Sequence, residues 1–161
     1  MRIGQGYDIH PLRVGRPLIL GGVVIPHSQG LDGHSDADAL THAVCDAILG
    51  AMGEGDLGTR YPSSNPEYKN LSSLVMLRSV AQTLRDKGFY LVNLDTVILA
   101  QAPKLAPYMA SMQESLAQVL QVAPSQVNVK VKSGEGIGMI GRAEGIATMA
   151  VCLIECTTPL K

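Results

Sequence analysis

The sequence predicts an α+β fold, a two-layer sandwich in which helices pack on one face of a mixed β-sheet. Three stretches repeat apolar residues at helical spacing, six segments read as strands, and two of those strands are joined by a Gly-Gly turn. No internal repeat or composition shift interrupts the 161 residues, so residues 1–161 are expected to form a single domain.

Arg2 to Asp8 reads as the first strand, with Gly4 and Gly6 clearing one face so that another segment can approach the backbone. If the chain stays extended, Asp8 and His10 project to the same face, and Pro11 is expected to end the ladder just after them. Leu18-Ile19-Leu20 and Val23-Val24-Ile25 flank Gly21-Gly22 and form a hairpin signal; His27 follows in a surface loop. Ser35, with acidic Asp38 three residues on, has the look of a capping box, which places Ser35 at the N-cap of a helix reaching about Met52. Gly53 stops that helix, and the long loop through Gly55-Asp56-Leu57-Gly58 and Tyr61-Pro62-Ser63-Ser64-Asn65-Pro66 reads as a lid or binding loop. Leu71, Leu74, Leu77, Val80, Ala81 and Leu84 mark a second helix, ended by Gly88. A buried strand from Tyr90 to Ala100 follows. Met109, Met112, Leu116, Val119 and Leu120 then mark a third helix whose methionines fill the core. Val127 to Lys132 alternates, a strand with one wet face, and Gly145 to Glu155 is the closing strand.

Composition narrows the class. A hydrophobic content of 46% with 17% charged residues is that of a soluble globular chain. The net charge of −1 leaves no basic footprint for nucleic acid. No apolar run approaches the ~18 residues of a membrane span, and no charged-then-apolar leader precedes the first strand, so no membrane partner and a cytoplasmic location are expected. Cys45, Cys152 and Cys156 are odd in number and set in apolar runs, as buried reduced thiols would be.

Three clusters carry chemistry. Asp8, His10 and His42 offer one carboxylate and two imidazoles, a zinc ligand set that leaves the fourth position open, provided the first strand faces the first helix. Asp38 and Asp46, four residues either side of His42, lie on its helical face and are expected to hold the ring in one tautomer. His34 and Ser35 then stand at the positive end of a helix, suited to a phosphate. Lys132-Ser133-Gly134-Glu135, with Arg142 beyond, combines a cation, a hydroxyl and a carboxylate that suit a phosphate and a hard cation such as Mg2+. Gly136-Ile137-Gly138-Met139-Ile140-Gly141 matches a dinucleotide fingerprint in letters only. Too little chain follows it for the helix and second strand that fingerprint needs.

Taken together, Asp8-x-His10, His34-Ser35-Asp36-x-Asp38, His42, Asp46, Gly55-Asp56-Leu57-Gly58, Ala100-Gln101-Ala102-Pro103-Lys104, Val127-Asn128-Val129-Lys130 and Gly141-Arg142-x-Glu144-Gly145 resemble the 2-C-methyl-D-erythritol 2,4-cyclodiphosphate synthase family across essentially the whole chain. The resemblance implies a homotrimer around a central β-walled core, with each active site at a subunit interface. The substrate it implies is 4-diphosphocytidyl-2-C-methyl-D-erythritol 2-phosphate, whose 2-phosphate attacks the β-phosphorus and expels CMP, a phosphorus–oxygen lyase reaction in non-mevalonate isoprenoid synthesis. It maps zinc onto Asp8, His10 and His42, transition-state stabilisation onto His34 and Ser133, and Mg2+ or Mn2+ onto Glu135 together with the substrate phosphates. Substrate contacts map onto Asp8, Ile9, His10, His34 and Ser35, then onto Asp56, Leu57 and Gly58, and onto the lid residues Tyr61, Pro62, Ser63, Ser64 and Asn65. A cytidine pocket maps onto Ala100, Gln101, Ala102, Pro103, Lys104, Leu105 and Ala106, with Lys132, Ser133, Gly134, Glu135, Met139 and Arg142, partly from a neighbouring subunit. Arg142 and Glu144 near the threefold axis imply a cavity for an isoprenoid diphosphate.

Two stretches depart from the family. The lid lacks the two carboxylates of the usual Phe-Pro-Asp-x-Asp, and Lys132 to Gly138 replaces a Thr-Thr-Thr-Glu-Lys-Leu-Gly run, with extra glycines that predict a looser loop. A metal-dependent phosphohydrolase using zinc-bound water and, with the trimer the resemblance implies, a trimeric ligand-binding protein stay open as alternatives.

Overall fold

The computed structural model describes residues 1–157. In chain order it contains β1 (Arg2–Val14), β2 (Leu18–Leu20), β3 (Val23–Ile25), β4 (Gln29–Leu31), α1 (Ala39–Met52), α2 (Leu57–Arg60), α3 (Ser73–Asp86), β5 (Phe89–Leu99), α4 (Met109–Leu120), β6 (Val127–Lys132), α5 (Gly138–Gly141) and β7 (Gly145–Cys156). The main sheet has the order β4-β1-β7-β5-β6, and β2-β3 form a separate hairpin closed by Gly21 and Gly22, both at positive φ. The β1–β7 and β5–β7 pairs are antiparallel while β5–β6 is parallel, with α4 as the crossover, so the sheet is mixed as expected.

The side chains of β1 and β7 alternate across the sheet. On β7, Ile146, Thr148, Ala150, Cys152 and Ile154 face the helices and are buried, while Met149 and Val151 are exposed on the other face. Ile3 and Tyr7 of β1 are exposed beside them, in register with Leu153 and Met149. Helix α1 is buried on nearly every side, as a helix sandwiched between a sheet and further helices must be. It meets β1 where Gly4 and Gly6 lack side chains: a Cβ at either would fall 1.8 Å from the Ala47 carbonyl oxygen or 2.0 Å from that of Ala43. Gly4, Gly6, Asp8 and His10 share the helix-facing side of β1, so the glycines that admit α1 also bring the next two side chains to its first turn.

Several boundaries differ from the sequence expectation. Pro11 does not end β1: the strand pairs with β7 as far as Pro11↔Gly145 and then passes to β4 at Leu12↔Leu31. A residue without an N–H fits at this handover because the Pro11 carbonyl still accepts from Asp32 N at 2.9 Å and Leu12 N donates to the Glu144 carbonyl at 3.0 Å. Helix α1 begins at Ala39 with Asp38, not Ser35, as its N-cap. Asp38 prevails because four donors converge on its carboxylate: Gly21 N at 2.8 Å, Gly22 N at 2.7 Å, Thr41 N at 3.0 Å and Thr41 Oγ1 at 2.7 Å. The loop after α1 contains a one-turn helix, α2, too short to carry an apolar period, with its N-cap Asp56 accepting from Thr59 N at 2.7 Å. All three cysteines are free; Cys45 and Cys152 are buried and Cys156 half-buried. No helix among the described residues is long and apolar enough to cross a membrane.

Candidate metal centre and its cavity

Asp8, His10 and His42 converge. Asp8 Oδ2 lies 3.0 Å from His10 Nε2 and 2.9 Å from His42 Nδ1, and the two ring nitrogens are 3.3 Å apart. A tetrahedral ion about 2.0–2.1 Å from each donor needs those donors roughly 3.3–3.4 Å apart, so a small opening of the triangle, by a few tenths of an ångström at Asp8, separates it from a zinc site. The three form the metal-capable cluster of His, Cys, Asp or Glu found among the described residues. Their side chains are 24%, 19% and 12% exposed, dry enough to strengthen charge interactions and still open on one side.

Charge is organised around the triad. Burial by itself would raise the Asp8 carboxyl, but hydrogen bonds and charge from His10 and His42 outweigh it and hold Asp8 well below the usual carboxylate range. Burial would lower His10, and the Asp8 hydrogen bond and charge reverse that, leaving His10 raised. Burial pushes Asp46 up against the opposing Leu57 N–H, with the Asp56 and Asp8 charges adding to the rise.

The triad opens onto a cavity of about 250 Å³ lined also by His34, Ser35, Asp46, Leu57, Gly58, Tyr61 and Ser63. Asp38 and Asp46 do not hold the His42 ring. Asp38 is consumed as the N-cap, and Asp46 accepts from Leu57 N at 2.7 Å, which fixes α2 against α1. The ring is held by Asp8 on Nδ1 and by the hydroxyls of Ser73 at 2.8 Å and Ser35 at 3.2 Å on Nε2. His34 and Ser35 stand five and four residues before α1, in a turn whose Ser35 Oγ accepts from Ala37 N, so the helix start does not present its N–H groups at these two residues. What positions them is Arg16, whose guanidinium donates to the carbonyls of Leu31 at 3.1 Å, Gly33 at 3.2 Å and Ser35 at 2.9 Å. His34 Nε2 in turn donates to the Asn65 carbonyl at 3.0 Å, tying the turn to the lid. Asn65, where the family has a carboxylate, uses its side chain to accept from Glu67 N at 3.0 Å and so caps a short turn at Pro66–Tyr68.

The other predicted site residues lie apart. Ile9 pairs with Ala147, Ala147 with Leu99 and Leu99 with Lys132, three strand spacings or roughly 14 Å across the sheet. None of the residues from Ala100 to Ala106, nor those from Lys132 to Arg142, lines the cavity. They form a second cluster at the same end of the sheet, where Ser133 Oγ donates to the Glu135 carboxylate and Gly136 N reaches Gln101 Oε1 at 3.5 Å. Part of this glycine-rich segment is closely packed. A Cβ on Gly134 would fall 2.4 Å from Gly141 N, so Gly134 and Gly141 let two backbone stretches pack together, closed by Ile137 N to Gly134 O at 2.7 Å and followed by the single turn of α5, while Gly136 and Gly138 face open space at positive φ. Arg142 pairs with Glu144 at 2.6 Å.

Tyr68, Met76, Arg16 and Ser73 also shape the site, and the sequence did not single them out. Only Ser73 lay near a signal, as one of two hydroxyl residues in the first turn of an amphipathic run.

Known proteins share the sequence and fold of this chain. A 2-C-methyl-D-erythritol 2,4-cyclodiphosphate synthase of Laribacter hongkongensis is 52% identical over 155 residues, 96% of each chain. One from Syntrophomonas wolfei is 50% identical, covering 96% of this chain and 99% of the other. Among solved structures, the bifunctional IspDF of Campylobacter jejuni superposes with a TM-score of 0.93 at 39% identity, covering 96% of this chain, which spans 42% of that longer protein. The Plasmodium falciparum IspF complex with CDP superposes at 0.87 and 34% identity, over 98% of this chain and 97% of the other. Residues 1–155 match the YgbB family, and the chain belongs to it.

Proposed function

We propose that this chain converts 4-diphosphocytidyl-2-C-methyl-D-erythritol 2-phosphate to 2-C-methyl-D-erythritol 2,4-cyclodiphosphate, releasing CMP, in the non-mevalonate route to isoprenoid precursors. The observation that carries the reading is the Asp8–His10–His42 triangle at the mouth of a cavity, in a chain about half identical over nearly its whole length to synthases of that name.

The reaction forms a bond between an oxygen of the 2-phosphate and the β-phosphorus, and breaks the bond from that phosphorus to the oxygen shared with the α-phosphate. CMP leaves with the electron pair. A phosphate monoester is largely ionised at neutral pH, so no strong base is needed; the obstacles are repulsion between anions and alignment of the two ends. Asp8, His10 and His42 would hold a zinc ion and Glu135 would hold Mg2+ or Mn2+, and the ions would supply positive charge to offset the repulsion between the anions. His34 and Ser133 hydrogen-bond the phosphate oxygens as charge moves, and Lys132 adds a fixed cation. Ser35, Asp56, Leu57, Gly58 and the Tyr61–Asn65 lid hold the methylerythritol. The Ala100–Ala106 segment, with Met139 and Arg142, holds cytidine.

The separation of Lys132 from the triad supports a homotrimer in which a neighbouring copy supplies the second cluster to each cavity. The apolar outer face of Ile3, Tyr7, Met149 and Val151 is the surface such an assembly buries as its β-walled core. An isoprenoid diphosphate fits that core beside Arg142 and Glu144. One domain, a cytoplasmic location and phosphorus–oxygen lyase chemistry complete the reading. Product analysis tests it. Incubation with the cytidylated substrate is expected to give CMP and a cyclic diphosphate in equal amounts. A linear phosphate without CMP makes it a phosphohydrolase, and binding without CMP makes it a ligand-binding protein.

A further inference from the structure

Each imidazole of the triad has its second nitrogen occupied. His10 Nδ1 lies 2.8 Å from the Asp32 carbonyl oxygen, which only accepts, so Nδ1 carries a proton and Nε2, which contacts Asp8 here, is the nitrogen left to bind an ion. The His42 ring is set the other way, with Nδ1 on the triad and Nε2 2.8 Å from Ser73 Oγ. Ser73 is fully buried at the first residue of α3. Its hydroxyl donates to Asp36 Oδ1 in a short contact, and its backbone N donates to Asp36 Oδ2 at 2.8 Å. A hydroxyl whose one proton is committed to a carboxylate offers only lone pairs elsewhere, so His42 Nε2 must be the donor. Ser35 Oγ, at 3.2 Å, accepts from Ala37 N and has its own proton uncommitted, so it does not dictate the tautomer.

We propose that Ser73 and Asp36 are positioning residues for the metal: the chain from His42 Nε2 through Ser73 Oγ to the Asp36 carboxylate fixes the tautomer and ring angle that present Nδ1 to the ion. Neither side chain touches the cation. Both act through His42, as outer partners of metal-bound histidines do. The arrangement also makes the α3 N-terminus part of the metal site, because Asp36 N donates to the Leu71 carbonyl at 3.2 Å and the same carboxylate receives the first N–H of that helix.

The inference rests on zinc being the triad's ion, and the two fail separately. Zinc binding by the parent protein is measured by competition with a chromophoric chelator, and the ring N–H protons of the 15N-labelled, zinc-loaded protein by NMR. The parent is expected to show a His42 Nε2–H shielded from exchange with water. Ser73→Ala is expected to bind zinc about 10- to 100-fold more weakly, with that proton shifted and exchanging faster while the His10 Nδ1–H signal stays in place. Asp36→Asn is expected to move the same signals in the same direction. No zinc bound by the parent overturns the metal reading. Zinc bound with an unprotected His42 proton in the parent, Ser73→Ala affinity within twofold of parent, or His10 and His42 signals that move together overturns the positioning role.

Discussion

The Asp38 carboxylate is fully buried and receives four hydrogen bonds, three of them from backbone N–H groups of two different segments. No water replaces an acceptor lost there, so the stranded donors carry their full desolvation cost. Asp38→Ala is expected to lower stability by about 2–4 kcal/mol in urea denaturation. Asp38→Asn is expected to cost nearly as much, since it keeps one acceptor oxygen and turns an N–H group toward Gly21 or Gly22. The same residue shows where reading single letters stops. Asp38 and Ser35 both fit a cap by type and spacing, and only the hairpin N–H groups, distant in sequence, decide between them. Asp8, His10 and His42 were legible because their residue types are restrictive and a strand and a helix each fix side-chain direction. The partners of His42 were not: Ser73 and Asp36 lie 31 and 6 positions away, and nothing local links them.

Among the elements, the contact of β1 with α1 builds the site. Gly6→Ala would place a methyl carbon 2.0 Å from the Ala43 carbonyl oxygen, a clash with backbone that no rotamer relieves. The helix must move off the strand, carrying His42 away from Asp8 and His10. Loss of about 3 kcal/mol or more of stability is expected, together with a large fall in zinc affinity, read by denaturation and by metal titration on the same sample. Strands and helices with clear periods were legible in the sequence, including the Gly-Gly hairpin and the α3 and α4 stripes. The one-turn helices α2 and α5 were not, since four residues hold no period, and β1 outran its proline because a change of partner strand is a tertiary event.

For the whole molecule, the two clusters are roughly 14 Å apart within one chain, a gap that no side chain of the cavity bridges. The proposed trimer would close that gap by setting the triad of one copy against the Lys132–Glu135 turn of the next, and subunit mixing tests this directly. His42→Ala disables the triad half and Glu135→Gln the other, so each variant alone is expected to release little CMP. Co-expressed with two tags and purified as mixed trimers, they are expected to recover about a third of parental CMP release, because one interface of three then joins two intact halves. Mixed trimers no more active than either variant alone would contradict the shared site and return the chemistry to a single chain.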